Sequence, residues 1–317
     1  MQQIVSIPNT KLAKQIELPE LIMFVGLPAS GKSTYAKSME NYVWCSSDAI
    51  REEFPGCKND FVFGTMYKRV ANALTQGQNC IYDATNLSSK HRVSFLRTIN
   101  RIACKKICIL FLCSIPECKR RNMLREGIAC VPEEVYNKFL CQFHPPVFQE
   151  GWDEIRIVYD DADQDIKPID LTVTEGFDQH NPHHTFTLGE HLKAAEDYIV
   201  KEDPANSIVI TAARYHDIGK IYTGQFCDVH GNKTDIMHFY GHEGYGSYLY
   251  LLHALSDFHT DEDMAKALYI SALIAWHMRP LNAWEQSKSA KEKDRKFLGE
   301  KMFSDLCLLH EADLHAH

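Results

Sequence analysis

Between the apolar run Leu21–Val25 and a helical pattern beginning near Lys32 stands Gly26-Leu-Pro-Ala-Ser-Gly31-Lys32-Ser33-Thr34. This spelling, GxxxxGK[ST], constrains the chain more than any other part of it. Its glycines let the backbone turn so tightly that successive N–H groups face one anion, and the helix that follows adds the positive end of its dipole. Strand, loop and helix in that order predict a phosphate-binding loop. Lys32 is expected to reach the β- and γ-phosphates of ATP and Ser33 to ligate Mg²⁺, with Gly26, Ser30, Gly31 and Thr34 completing the cradle.

The alternation continues downstream. Tyr42–Cys45, Asn79–Ala84, Lys106–Cys113 and Ile155–Tyr159 read as further strands. Lys32–Glu40, Met66–Gln76, Lys90–Ile102, Pro116–Arg125 and Pro132–Phe139 read as the helices between them. Such alternation predicts a parallel sheet covered on both faces. After Tyr159 the pattern fails: Asp160–Asp165 is acidic and aperiodic, and a loop-like stretch follows to Pro182. From His183 the pattern is helical almost throughout, with no convincing strand. The expected organisation is an α/β domain over 1–160, a linker over 161–182 and an all-α domain over 183–317. Cuts near Tyr159 and Gly176 are expected to leave two independent parts.

Charge follows the same division. Residues 1–150 carry 19 Lys+Arg against 13 Asp+Glu, a balance of +6, and residues 151–317 carry 15 against 29, a balance of −14. The second part also holds 14 of the 16 histidines, which suggests phosphates as ligands of the first and metal cations as ligands of the second. The odd count of 11 cysteines, with no Cys-x-x-Cys pair, indicates neither a disulfide framework nor a zinc ribbon; reduced, buried thiols such as Cys108 and Cys113 are expected. No apolar run approaches the ~20 residues that cross a bilayer. Met1–Lys14 has no signal-peptide core, so a cytoplasmic location is expected, with no membrane partner.

In the first part, Ser47 can cap a short helix that Pro55 and Gly56 end, with Asp48 and Arg51 at i and i+3 on one face. A carboxylate there could take a proton from a hydroxyl while the guanidinium holds a neighbouring phosphate; a plain surface ion pair has the same spacing. Taken in order, GLPASGKST, SSDAIR, DATNLSSKHR and CKRRNMLREG resemble the kinase module of bacteriophage-type polynucleotide 5′-hydroxyl kinases over nearly all of residues 20–145. The resemblance implies Asp48 as general base for the 5′-hydroxyl and Arg51 as ligand of the acceptor's 3′-flanking phosphate. It implies Arg125 as a lid arginine on the ATP phosphates, with Arg121 one turn earlier, and it puts Asp83, Thr85, Asn86 and Arg92 on the acceptor side. The chain departs from the family at Ala29, where a second loop glycine is usual. Lys90, Arg92, Arg97, Arg101, Lys105, Lys106, Lys119, Arg120 and Arg121 could line a path for a nucleic-acid backbone, with Arg97, Arg101 and Lys105 equally open to being a solvated helix face. No aromatic-interleaved stacking platform is evident in the sequence.

In the second part, His216-Asp217 ends the apolar stretch Ile208–Tyr215, with His191 upstream, His242 and His277 on later helices and Asp313 near the end. Imidazole and carboxylate together suit borderline divalent metals such as Mn, Co, Ni or Zn, and helices packed in a bundle can aim such residues at one point. Two ions need about this many side chains, with Asp217 able to bridge; Lys220 could hold a phosphate oxygen. Singly, each histidine is more often a core or surface residue than a ligand. The stretches NPHHTFTLGEH, HDIGK, FYGHEGYG, HMRP and EADLHA resemble the HD domain of bacterial CCA-adding enzymes over about residues 180–317. That resemblance implies His191, His216, Asp217 and Asp313 as metal ligands, with His242 and His277 completing a dinuclear site. His184 is a rival for the first ligand, set aside for its spacing to the dyad. His183, His238, His253, His259, His310, His315 and His317 are read as ordinary residues.

A 5′-kinase joined to a phosphohydrolase implies repair of RNA or DNA ends bearing a 5′-hydroxyl and a 2′/3′-phosphate or cyclic phosphate, with an RNA ligase as a natural partner. Two other readings stand beside it: a small-molecule or nucleoside kinase fused to an HD nucleotidase, and a nucleotide-sensing binding protein whose HD half is structural.

Overall fold

The structure is a computed structural model that describes residues 2–9, 18–160, 166–181, 185–258 and 260–316, with Ile128 by its backbone alone. The acidic run 161–165 of the expected linker, and His183, His184, His259 and His317, lie outside the described residues. Two compact units form: residues 1–139 with 146–166, and residues 140–145 with 167–317.

The apolar runs of the first unit become strands, and the segments between them become helices. In chain order they are β1 (Gln2–Pro8), β2 (Glu20–Val25), α1 (Lys32–Lys37), β3 (Tyr42–Ser46), α2 (Ser47–Glu53), α3 (Asn59–Thr75), β4 (Asn79–Asp83), α4 (Ser89–Thr98), β5 (Lys105–Phe111), α5 (Ile115–Met123), α6 (Glu133–Cys141) and β6 (Glu154–Asp160). They build one sheet in the order β1-β6-β5-β2-β4-β3. Leu21–Val25 and Ile107–Leu110 are fully buried, as strands covered on both faces must be. Every pairing is parallel except β1 with β6, so the sheet is mostly parallel and carries one antiparallel edge strand. The sequence reading missed β1, whose alternating Gln2-Gln3-Ile4-Val5-Ser6-Ile7 is half polar. With β5 on one side of β2 and β4 on the other, the strand order reverses at β2, and ligands of open α/β sheets bind beyond the strand ends at such a point.

The second unit is helical: α7 (Leu188–Glu202), α8 (Ser207–Tyr215), α9 (Lys220–Thr223), α10 (His242–Ala254), α11 (Asp261–Trp276), α12 (Lys288–Leu298) and α13 (Glu300–His315). It is not all-α. Gln225–Cys227 (β7) and Lys233–His238 (β8) pair as an antiparallel hairpin. Polar residues on both sides of short strands hid the period-two signal. The segment 140–145 also corrects the expected boundary, because its apolar side chains pack in this unit: Phe143 is fully buried and meets Tyr248 edge-on at 5.1 Å. Gly241 and Gly244 lie so close to the Cys141 backbone that a Cβ on Gly244 would come within 2.7 Å of its carbonyl oxygen. All eleven cysteines are free, with Cys108 and Cys113 buried as expected. No helix of the described residues is long and apolar enough to cross a membrane.

Candidate phosphate site and metal centre

The loop between β2 and α1 is tied down from behind. Gly26 N–H donates to the Thr85 carbonyl at 3.0 Å, and the Asn86 side-chain amide donates to Phe24 O at 2.7 Å. A Cβ on Gly26 would meet Ser30 Oγ at 2.8 Å and Phe111 Cβ at 3.0 Å, so only glycine lets the chain turn there. Ala29 has φ +61°, a left-handed conformation that favours glycine, which gives the family's usual glycine its physical reason. Lys32 is buried, and its ammonium donates to Gly26 O at 2.9 Å and Leu27 O at 2.6 Å.

Asp83, at the end of β4, faces the loop. Ser33 donates to its Oδ2 at 3.3 Å and the Trp44 indole donates to the same oxygen at 3.0 Å. Burial pulls the Lys32 ammonium down and pushes the Asp83 carboxyl up, and each charge opposes the shift of the other. Ser33 and Asp83 together offer a hydroxyl and a carboxylate to one hard cation, the ligand pair that holds Mg²⁺ in P-loop enzymes. Sequence reasoning gave Asp83 to the acceptor side; an aspartate ending the strand next to the loop strand was the signal for this other placement.

Thr85, Asn86 and Arg92 are likewise drawn into the scaffold. Arg92 is fully buried, paired through Nε with Glu150 at 2.8 Å, and it donates to Asn86 O and Leu87 O. Its expected contact with an acceptor is therefore corrected: with no exposed surface, it holds the segment that holds the loop. The cap of α2 is Ser46, not Ser47, its hydroxyl accepting from Asp48 N and Ala49 N. Asp48 and Arg51 do share one face, 3.4 Å apart, with the Asp48 side chain 58% exposed and Arg51 Nη2 also donating to Asn59 at 3.1 Å. Arg125 is near enough to Lys32 to depress its ammonium further. Arg121 pairs with Glu117, as does Arg120, whose hydrogen bonds lead in holding that carboxyl down at about 2. Lys119 pairs with Glu133, and Lys105 with Glu154, so much of the expected basic path is engaged in ion pairs.

In the second unit the six expected ligands converge. His191, His216, Asp217 and Asp313 form one group and Asp217, His242 and His277 another, with all ligand atoms of each group within 4.8 Å of one another. Asp217 divides its oxygens between them. Oδ2 lies 3.2 Å from His191 Nε2 and 3.5 Å from His216 Nε2; Oδ1 lies 2.9 Å from His242 Nε2 and 3.3 Å from His277 Nε2. Asp313 Oδ1 closes the first group at 3.2 Å from His191. The positions come from helix ends: α8 leads into His216-Asp217, α10 opens with His242, α11 is capped by His277, and α7 and α13 supply His191 and Asp313.

The ring orientations test whether metal ions fit. Each Nδ1 faces a backbone carbonyl at 2.7–2.8 Å: His191 to Ala316, His216 to Ala213, His242 to Phe239 and His277 to Ile274. A carbonyl can only accept, so each Nδ1 carries hydrogen and each Nε2 turns a lone pair inward. Backbone carbonyls orient metal-binding histidines in this way. Lone pairs facing one another at 3.1 Å (His191, His216) and 3.2 Å (His242, His277), around a buried carboxylate, repel unless a cation lies among them. Where no metal ion lies there, a proton meets the same demand: burial would lower the His191 imidazole, but Asp217 and Asp313 outweigh it and push it up to about 9. Asp217 Oδ1 is buried and hydrogen-bonded by nothing among the described residues. These groups fit divalent ions. Lys220, 2.7 Å from Asp217 Oδ2, is steadied by Gln179 at 2.8 Å, a partner that sequence reasoning had not found.

Residues 21–146 match the family model described as AAA domain. Over 204 residues the chain is 25% identical to L-seryl-tRNA(Sec) kinase of Methanococcus maripaludis, a match covering 60% of this chain and 74% of that protein. The first unit is a P-loop kinase-like α/β module, of a kind that uses ATP and Mg²⁺. Among solved structures, a candidate kinase from Chloroflexus aurantiacus overlaps this chain at 19% identity and a TM-score of 0.34, over 39% of this chain and 76% of that one. A chain of a Pnkp1/Rnl/Hen1 complex overlaps at 22% identity and a TM-score of 0.31, over 39% of this chain and 45% of its own length.

Proposed function

We propose that this protein heals broken nucleic-acid ends: the first unit transfers the γ-phosphoryl group of ATP to a 5′-hydroxyl, and the second, an HD-type phosphohydrolase, clears a 2′- or 3′-terminal phosphate or its 2′,3′-cyclic ester. The observation that carries this reading is the bridging placement of Asp217 between two histidine groups, in a chain whose other unit sets Asp48 and Arg51 beside a P-loop. One site adds a phosphate; the other is built to remove one.

In the kinase step, loop N–H groups and Lys32 bind the ATP phosphates, and Arg125 covers them. Ser33 and Asp83 would hold Mg²⁺. Asp48 accepts the proton of the 5′-hydroxyl as its oxygen bonds to the γ-phosphorus and ADP departs. Arg51, steadied by Asn59, binds the phosphate on the 3′ side and fixes the hydroxyl's approach. In the second unit His191, His216 and Asp313 would hold one ion and His242 and His277 the other, with Asp217 able to serve both. Ions bound there supply Lewis-acid charge and lower the pKa of a water. Imidazole-rich ligation favours Mn, Co, Ni or Zn over Mg²⁺. Lys220 holds Asp217 ionised and offers its ammonium to a phosphate oxygen. An RNA ligase would consume the resulting ends.

The archaeal relative's name, L-seryl-tRNA(Sec) kinase, gives a second acceptor to consider: a seryl hydroxyl carried on RNA. One assay separates the readings. The protein is given ATP, Mg²⁺ and Mn²⁺ with a 5′-hydroxyl, 2′,3′-cyclic-phosphate oligonucleotide, with seryl-tRNA and with a free nucleoside, and both RNA ends are resolved. Phosphorylation of the oligonucleotide with loss of its 3′-side phosphate is expected. Preference for seryl-tRNA or the nucleoside, or an unchanged 3′ end with every metal, would overturn the end-healing reading.

A further inference from the structure

Along α2, Asp48 and Arg51 lie one turn apart on one face, and Phe54 ends the helix as its C-cap three residues beyond Arg51. Phe54 is 38% exposed, and Phe61, 47% exposed, meets it edge-on from the first turn of α3 with ring centroids 5.1 Å apart. Asn59, which opens α3, is the residue that accepts from Arg51 Nη2. The same turn therefore fixes the guanidinium and brings the two rings together. The buried core of this unit is built elsewhere, around Phe24, Ile107, Ile109 and Phe111. Two half-exposed phenyl rings beside an exposed carboxylate and guanidinium add little to that core.

We propose that Phe54 and Phe61 form a stacking subsite for the nucleobase of the acceptor strand's second nucleotide. The proposal rests on the 5′-kinase reading, in which Asp48 faces the terminal hydroxyl and Arg51 takes the phosphate on its 3′ side. Beyond that phosphate the next group on the strand is the second nucleoside, and beyond Arg51 the next group on the helix is Phe54. Aromatic rings stack on any base through its π-face, and neither phenylalanine carries a hydrogen-bonding group, so this subsite adds affinity without reading base identity. An apolar protein partner would use the two rings and make no use of the guanidinium beside them; a nucleotide uses both.

Steady-state kinase kinetics on two acceptors test this. A nucleoside 3′-monophosphate engages Asp48 and Arg51 only; a 5′-hydroxyl dinucleotide adds the second base. Base–aromatic stacking of ordinary strength makes a KM rise of about tenfold the expected result for Phe54→Ala and Phe61→Ala on the dinucleotide. The turnover rate, and the KM for the nucleoside 3′-monophosphate, should not move. Phe54→Trp should restore the dinucleotide KM, and an abasic second position should make the unaltered enzyme behave like Phe54→Ala. Equal effects on both acceptors, or none on either, would overturn the subsite while leaving the kinase reading intact. If the unaltered enzyme phosphorylates neither acceptor, the 5′-kinase reading itself fails and takes the subsite with it.

Discussion

Replacing Asp217 with asparagine should empty one metal position and spare the other. The carboxylate serves both groups because it has two equivalent oxygens, Oδ2 toward His191 and His216 and Oδ1 toward His242 and His277. An asparagine has one oxygen and one NH₂, and the NH₂ cannot ligate. Lys220 decides which way it turns, since its ammonium lies 2.7 Å from Oδ2 and can only donate. The amide oxygen therefore takes the Oδ2 place, where His191, His216 and Asp313 still complete a site. The NH₂ faces the lone pairs of His242 and His277, which keep two imidazoles and no anion. Elemental analysis of protein loaded with Mn²⁺ or Zn²⁺ should fall from two ions per chain to one. Stability gives a second reading: an ion present at a thousand times its Kd contributes about 4 kcal/mol. In a unit of this size that is worth roughly 10 °C in Tm. Chelation should lower the variant's Tm about half as far as it lowers that of the unaltered protein. Two ions retained, or both lost, would refute the assignment of the oxygens. An unaltered chain that takes up no ion under any loading condition would remove the metal centre altogether.

Lys32→Ala and Asp48→Ala should each reduce 5′-phosphorylation by at least a hundredfold with metal content unchanged; near-normal turnover in Asp48→Ala would exclude it as the base. Asp83→Asn should raise the Mg²⁺ concentration needed for half-maximal kinase rate several-fold more than it raises the KM for acceptor, and the opposite pattern would return Asp83 to the acceptor side. A fragment beginning at Lys167 leaves behind the buried ring of Phe143, a loss of about 3–5 kcal/mol by comparison with core Phe→Ala changes, so denaturant unfolding should find it markedly weaker than the same unit in the full chain. Burial holds the His253 imidazole below its ordinary value, while its Nδ1 accepts from Ile169 N at 2.9 Å. A depressed histidine contributes its full stability above the unfolded value near 6.5 and loses it as the pH falls below that value, so His253→Asn, which keeps an acceptor and cannot charge, should flatten the Tm decline below about pH 6.5.

The two candidate sites were legible in the sequence to different degrees. The phosphate loop could be read because its requirements are local: tight glycine turns, a strand before and a helix after. The candidate metal ligands could be read because imidazole and carboxylate are rare together on apolar helices, even though the six ligands come from five different helices. What the sequence could not give was the division of Asp217 between two groups, or the carbonyls of Ala213, Phe239, Ile274 and Ala316 that turn the rings inward. Those depend on helix-end geometry and on tertiary contact, and they carry no residue-type signal because any residue has a carbonyl.

The misreadings share one physical origin. A charged residue in a suggestive motif is open to solvent or buried according to a partner far away in the chain, and motif spacing contains no record of that partner. Arg92 reads as a substrate arginine until Glu150 and Trp152 Nε1 are seen to complete its buried pair. Asp83, expected on the acceptor side, gains a second candidate role once β4 pairs beside β2 and sets it against Ser33. For Asp83 the sheet order sets the neighbour, since it brings the end of β4 beside the loop strand; for Arg92, on α4, it is the turn Phe148–Glu150 that supplies the partner. Breaking the Arg92–Glu150 pair from one side would leave a buried charge unmatched, a loss of about 3–5 kcal/mol. Arg92 is therefore held in place by the fold, and its effect on phosphoryl transfer runs through the Asn86 segment that keeps the loop in position.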